Sequence, residues 1–180
     1  MRSFPGKPPR YTQENSPYFL TFCTLRRRPL LHQQDIPEFL IQELHFYSSR
    51  IQNLVAYTIM PDHIHAIVEI EKLGSLSAFL RDFKKFTSVE IKRRLEIDGT
   101  NFEDRIWQPG TMDHCIRLSW NSKDYENHLG YLFYNSQKHL GIAPRDFSYH
   151  NFTEFVRQGY FDDDFCSVSE GIDKDFMIYE

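Results

Sequence analysis

A chain of 180 residues with 41% hydrophobic and 16% aromatic content has the composition of one ordered domain with extensions, and that excludes a disordered chain. Three cysteines without C-x-x-C spacing argue against a disulfide framework or a zinc knuckle and point to a reducing cytoplasm; with no apolar run of about 20 residues and no signal-peptide pattern, no membrane partner is expected. The net charge of −4 argues against nucleic acid until its distribution is considered: residues 161–180 hold seven acidic residues against Lys174, so this tail carries −6 and the remainder +2.

Residues 1–16, with Pro5, Pro8, Pro9, Arg2, Lys7 and Arg10, read as a basic N-terminal arm. Tyr18 to Leu25 alternates and is rich in aromatics and threonine, a strand ended by Arg26, Arg27, Arg28 and Pro29. That basic run is either a grip for phosphate or a solvated turn. Ile36, Phe39, Leu40, Leu44 and Tyr47 recur at helical spacing in a segment reaching Arg50. Leu54 to Met60 and Ile64 to Ile70 are β-rich runs on either side of Pro61 and Asp62, a hairpin signal.

A second helix fits Ser75 to Leu95, with Leu76, Phe79, Leu80, Phe83, Thr87, Ile91 and Leu95 as its buried stripe. Its outer faces carry Arg81, Lys84, Lys85, Lys92, Arg93 and Arg94, diluted by Asp82, Glu90 and Glu96, which on charge alone is the pattern of a solvated face. Ile106 to Gln108 and Met112 to Leu118 read as a broken strand pair around Pro109 and Gly110. A third helix begins after Asn121 and Ser122, both good N-caps, and runs to about Lys138. The order of the first six elements predicts an α+β domain over residues 17–150, a ferredoxin-like β-α-β-β-α-β antiparallel sheet backed by two helices. The third helix is an addition, and residues 151–180 form an acidic C-terminal extension.

Two features carry chemistry. His63 and His65, two apart on a strand, point to one face with Ile64 on the other, and such a pair of neutral imidazoles can hold one divalent cation; two half-buried polar residues are the plainer reading. On the third helix Tyr131 and Asn135, four apart, share a face near His128 and Leu132. By itself Tyr131 is a packed aromatic.

Taken together, M-P-D-H-I-H-A-I-V, then a basic helix, then W-Q-P-G-T-M-D-H-C-I-R, then G-Y-L-F-Y-N-S-Q-K-H-L, resemble the single-tyrosine HUH transposases, in particular the REP-associated tyrosine transposases of the IS200-like group, over about residues 17–150. The resemblance implies a metal-dependent single-stranded DNA endonuclease and strand transferase. Tyr131 takes the nucleophile position and forms a 5′-phosphotyrosine; His63, His65 and Asn135 hold Mg²⁺ or Mn²⁺. It also implies DNA contacts from Arg26, Arg27, Arg28, Lys84, Lys85, His114, Arg117 and Lys138, with hairpin-structured single-stranded DNA as partner and a monomer, or else a dimer, as the working unit. Trp107 is either a core residue or a base-stacking platform. Relatives continue the helix motif as Asn-Pro-Val, where this chain has Asn135, Ser136 and Gln137, which lets the helix run on. The alternatives are a domesticated, non-catalytic binder of structured single strands and a hydrolytic metalloenzyme.

Overall fold

The computed structural model describes residues 13–99, 101–118 and 123–166. The basic arm up to residue 12, the caps Asn121 and Ser122, and the acidic tail from residue 167 lie outside the described residues. The elements follow the expected order: β1 (Ser16–Cys23), α1 (Ile36–Ser48), β2 (Gln52–Ile59), β3 (His63–Ile70), α2 (Leu73–Arg94), β4 (Met112–Cys115), α3 (Asp124–Leu140) and a short α4 (Phe152–Arg157). The four strands form one antiparallel sheet in the order β2-β3-β1-β4, the ferredoxin-like arrangement.

The sheet has a core on each face. Tyr18, Leu20 and Phe22 of β1 and Ile64, Ala66, Val68 and Ile70 of β3 turn to one side, where they meet the buried stripes of α1 and α2. Phe22, Phe79, Phe83 and Trp107 form an aromatic cluster there, and the Trp107 Nε1–H donates to Thr87 Oγ1 at 2.9 Å. Trp107 is therefore a core residue. On the other side Phe19, Ala56 and Ile67 pack with Leu129, Tyr131, Leu132 and Phe133 of α3. A bulge in β2 between Leu54 and Ala56 switches the facing of that strand, so that Ala56 joins the second core while Tyr57 stays in the first. The stretch from 151, read from its charge as an extension, contributes Phe152, Phe155, Phe161 and Phe165 to the second core.

β2 is an edge strand, and the segment after α3 covers it. Ile59 N–H donates to Tyr149 O at 2.9 Å, Tyr57 N–H to Asn151 Oδ1 at 3.1 Å, and Asn151 Nδ2 donates to Val55 O at 3.0 Å. β4 is shorter than expected, and Ile106 to Gln108 forms no strand pair with it; Trp107 makes an isolated bridge to Thr24 instead. Cys23, Cys115 and Cys166 are free thiols. No described helix is long and apolar enough to cross a membrane.

Burial pushes the imidazole pKa down at His32, His65, His128 and His150. Such groups take up a proton more readily unfolded than folded, so the stability they permit is complete above the ordinary histidine value of about 6.5 and falls as the pH drops below it. We expect the metal-free chain to lose thermal stability between about pH 7 and pH 5.5, each such histidine adding up to about 1.4 kcal/mol per pH unit. A melting temperature that stays flat or rises over that interval would contradict the burial of these rings.

Candidate active site

The hairpin turn that precedes β3 is pinned from outside. Thr24 donates to Asp62 O through both its N–H, at 2.9 Å, and its hydroxyl, at 3.0 Å, and Leu31 N–H donates to Pro61 O at 2.8 Å. The start of β3, where His63 sits, is thereby held by neighbouring loops as well as by the sheet. His63 and His65 are each only 4% exposed and share the α3 side of the sheet with Ile67, their ring centroids 4.8 Å apart. His63 Nδ1 lies 2.6 Å from Asp62 Oδ1, and His65 Nδ1 lies 3.0 Å from Thr21 Oγ1, the residue directly opposite it on β1. With Nδ1 of both rings engaged, Nε2 of both is left for a ligand, the arrangement by which outer partners orient metal-binding imidazoles.

α3 lies across these rings. Tyr131, 2% exposed, has its ring 5.4 Å from His65 and 6.0 Å from Phe19. One turn on, Asn135 is fully buried; its Nδ2 donates back to Tyr131 O at 2.7 Å, while its Oδ1 is buried with no hydrogen-bond partner. The His65 pKa is driven well below the usual value, first by burial and then by the nearby charges of His63, Arg27 and His139, with the adjacent Asn135 amide working the other way. His65 is therefore a neutral donor at physiological pH, next to an amide whose buried oxygen lacks a proton donor. Two imidazoles and that oxygen fit a divalent cation better than any partner the chain itself supplies.

A cleft of about 510 Å³ opens over the pair, lined by Thr21, Arg27, Asp62, His63, His65, Met112, Tyr131 and His139 among others. Of the three arginines, Arg27 lines it, with Nη1 3.5 Å from Asp62 Oδ2. Arg26 pairs with Glu103 Oε1 at 2.7 Å, and Arg28 donates to Arg105 O. Arg26 and Arg27 are both left-handed, at φ 57° and 54°, a backbone strain of about 1–3 kcal/mol per residue that turns consecutive side chains apart and sends one of them to the cleft. Lys138, on α3, places Nζ 5.6 Å from the centre of the Tyr131 ring.

The remaining predicted contacts lie elsewhere. Lys84 is half-buried, and its ammonium holds the loop before β4 through Gln108 O at 2.8 Å and Gly110 O at 2.5 Å. Burial lowers its pKa. Lys85 is exposed in a separate groove with Lys84, Lys92 and Arg105. His114 and Arg117 meet Asp124 in the first turn of α3: Arg117 N–H donates to Asp124 Oδ2 at 2.9 Å, with His114 Nε2 at 3.3 Å. His128 stacks on His114 at 4.7 Å and donates through Nδ1 to Asp124 O at 2.7 Å. Burial alone would raise the Asp124 carboxyl, but the hydrogen bonds from Arg117 and His114 and the adjacent imidazoles outweigh it, and its pKa falls. The donors of His114, Asp124 and His128 lie within 4.8 Å of one another, a set that could hold a cation as well as bracket α3 to β4. This cluster is distinct from the His63–His65 pair, since Phe19 stands between them, 5.1 Å from the His65 ring and 5.0 Å from that of His128.

The family model described as "Transposase IS200 like" matches residues 12–112, more than half of the chain, and takes in both His63 and His65. The chain belongs to the IS200-like transposase family. Within this family, a protein of Haemophilus influenzae assigned to the REP-associated tyrosine transposases is 29% identical over 119 residues, 61% of this chain and 64% of that one. The REP-associated tyrosine transposase of Escherichia coli K12 is 30% identical over 110 residues, 59% of this chain and 58% of that one. The chain thus spans less than two thirds of the length of the curated relatives it matches. A solved REP-associated tyrosine transposase bound to a REP hairpin superimposes with a TM-score of 0.68 at 25% identity, covering 88% of this chain and 90% of that chain. This IS200-like fold extends past the matched segment to α3, where Tyr131 and Asn135 lie.

Site residues not singled out from the sequence are Thr21, Asp62, Met112 and His139. Asp62 was read as a turn residue alone, and Thr21 faces His65 only through strand register. His139 lies eight residues from Tyr131, a helical spacing that marks it in retrospect.

Proposed function

We propose that this chain cuts and rejoins single-stranded DNA at hairpins, using Tyr131 as nucleophile and a Mg²⁺ or Mn²⁺ ion held by His63, His65 and Asn135. The observation that carries the reading is the convergence, within one chain, of a tyrosine and two imidazoles on one cleft, with a buried amide oxygen one helical turn on from the tyrosine. The bound ion would neutralise charge growing on the phosphate oxygens.

The chain's own residues do the rest. Tyr131 Oη attacks phosphorus in line; the bond to the 3′-oxygen breaks, a bond to Oη forms, and the departing 3′-oxygen takes up a proton as the phenol loses its own. The Lys138 ammonium stands 5.6 Å from the centre of the Tyr131 ring, a positive charge beside the attacking residue. Arg27 presents its guanidinium to the phosphate at the cleft. Rejoining is the same step in reverse with another 3′-hydroxyl, so no bond energy is lost to water. This cis arrangement supports a working unit of one chain over a dimer. The hairpin in the solved relative supports hairpin DNA as the substrate here.

The test uses 5′- and 3′-labelled hairpins from the DNA flanking the gene, with Mn²⁺. A denaturation-resistant adduct on the 3′ fragment supports the reading; tight binding with no adduct would replace it with the non-catalytic binder.

A further inference from the structure

We propose that His139 is a further ligand of the divalent cation, making the centre one of three imidazoles and an amide. The inference rests on the metal-dependent reading above.

α3 runs unbroken to Leu140, so Tyr131, Asn135 and His139, each four residues from the last, form a single row about 6 Å apart along the helix. The row ends over the hairpin turn. There the His139 ring meets His63 at 5.6 Å with an interplanar angle of 83°, while His65 meets His63 from the other side at 4.8 Å and 78°. These separations have a simple meaning. Nitrogens held about 2.1 Å from one ion place the centres of their rings about 4.5–5.7 Å apart for angles between right-angled and trigonal. Both pairs fall inside that range, and each crosses at close to a right angle, as rings converging on a common point do. His139 is exposed and lines the cleft with His63 and His65, so its ring reaches an ion there without passing through packed side chains.

A third imidazole changes the preference of the centre. Mg²⁺ binds oxygen and keeps its waters, whereas imidazole suits the later divalent metals. The centre is thereby expected to take Co²⁺ more tightly than Mn²⁺, and Mn²⁺ more tightly than Mg²⁺.

The experiment is titration of the full, metal-free chain with Co²⁺ in the absence of DNA, read by visible absorption, in a His114→Ala background so that the second cluster does not contribute. His139→Ala is expected to weaken Co²⁺ binding at least about tenfold, no less than the loss of an outer partner, and to alter the absorption bands. His139→Gln, which keeps an oxygen donor, recovers part of the affinity. His63→Ala and His65→Ala lose it as well. Wild-type affinity and bands in His139→Ala, with His63→Ala defective, would overturn the third imidazole and leave the two-histidine centre standing. Unchanged binding in all of these variants would overturn both. Because His139 is exposed, circular dichroism of His139→Ala should match the parent.

Discussion

Replacing Tyr131 by phenylalanine removes one oxygen atom and should end the covalent chemistry: no adduct on the 3′ fragment, and strand cleavage slower by at least about a thousandfold. Phenylalanine is the informative substitution because the ring is structural as well. It is 2% exposed and touches Phe19 and His65 edge-on, so truncation to alanine would open a cavity in the second core. With the ring retained, hairpin affinity and Mn²⁺ affinity should both stay within about twofold, and the loss then belongs to the hydroxyl. Tyr134 is the natural comparison. It lies about 300° round α3 from Tyr131, and Tyr134→Phe should leave the adduct intact. If the adduct instead survives Tyr131→Phe and disappears with Tyr134→Phe, the nucleophile has been misassigned.

The second large effect is expected at Asn135, where function and stability should separate. A buried oxygen with no partner costs about 1–3 kcal/mol, and Asn135 Oδ1 is such an oxygen. Alanine relieves that cost and is the better helix former; it gives up the hydrogen bond to Tyr131 O and leaves a small void. In metal-free buffer Asn135→Ala should be neutral to about 1 kcal/mol more stable than the parent. At a Mn²⁺ concentration of about a hundred times its Kd the parent gains about 2.7 kcal/mol; the variant should lose most of that gain, and cleavage should fall at least about a hundredfold. Thermal melts with and without Mn²⁺ decide the matter. A variant that is markedly destabilised without metal, yet stabilised by Mn²⁺ as much as the parent, would show the amide to be a packing residue.

Much of this site can be read from spacing, because spacing is what fixes a side chain's direction within one element. The period of a strand puts His63 and His65 on one face, and the period of a helix puts Tyr131 and Asn135 on another. Element order likewise predicts the sheet, since β-α-β-β-α-β has few compact solutions. What cannot be read this way depends on pairings between distant segments. Thr21 meets His65 through the register of β1 with β3, and His114 of β4 meets Asp124 and His128 of α3. The basic run likewise gives no sign that Arg27 alone turns to the cleft, because its direction is set by two left-handed residues in succession. Lys84 and Lys85 are adjacent and alike in sequence, yet the first is spent on loop carbonyls and the second stays in solvent, a difference set by the loop that happens to pass above.

The edge cover on β2 sets the shortest piece of this chain that could behave well alone. A fragment ending at Leu140 would retain Arg27, His63, His65, Tyr131, Asn135, Lys138 and His139, every residue proposed for the chemistry. It would also bare the backbone groups of Val55, Tyr57 and Ile59 along an apolar border strand, and remove Phe152 and Phe155 from the aromatic floor beneath α3. Such a strand is a template for pairing with further copies of itself. Trimming the chain to the residues proposed for the chemistry would thus trade a discrete particle for one prone to self-association, and a well-behaved miniature has to keep the chain at least through the turn that carries Asn151.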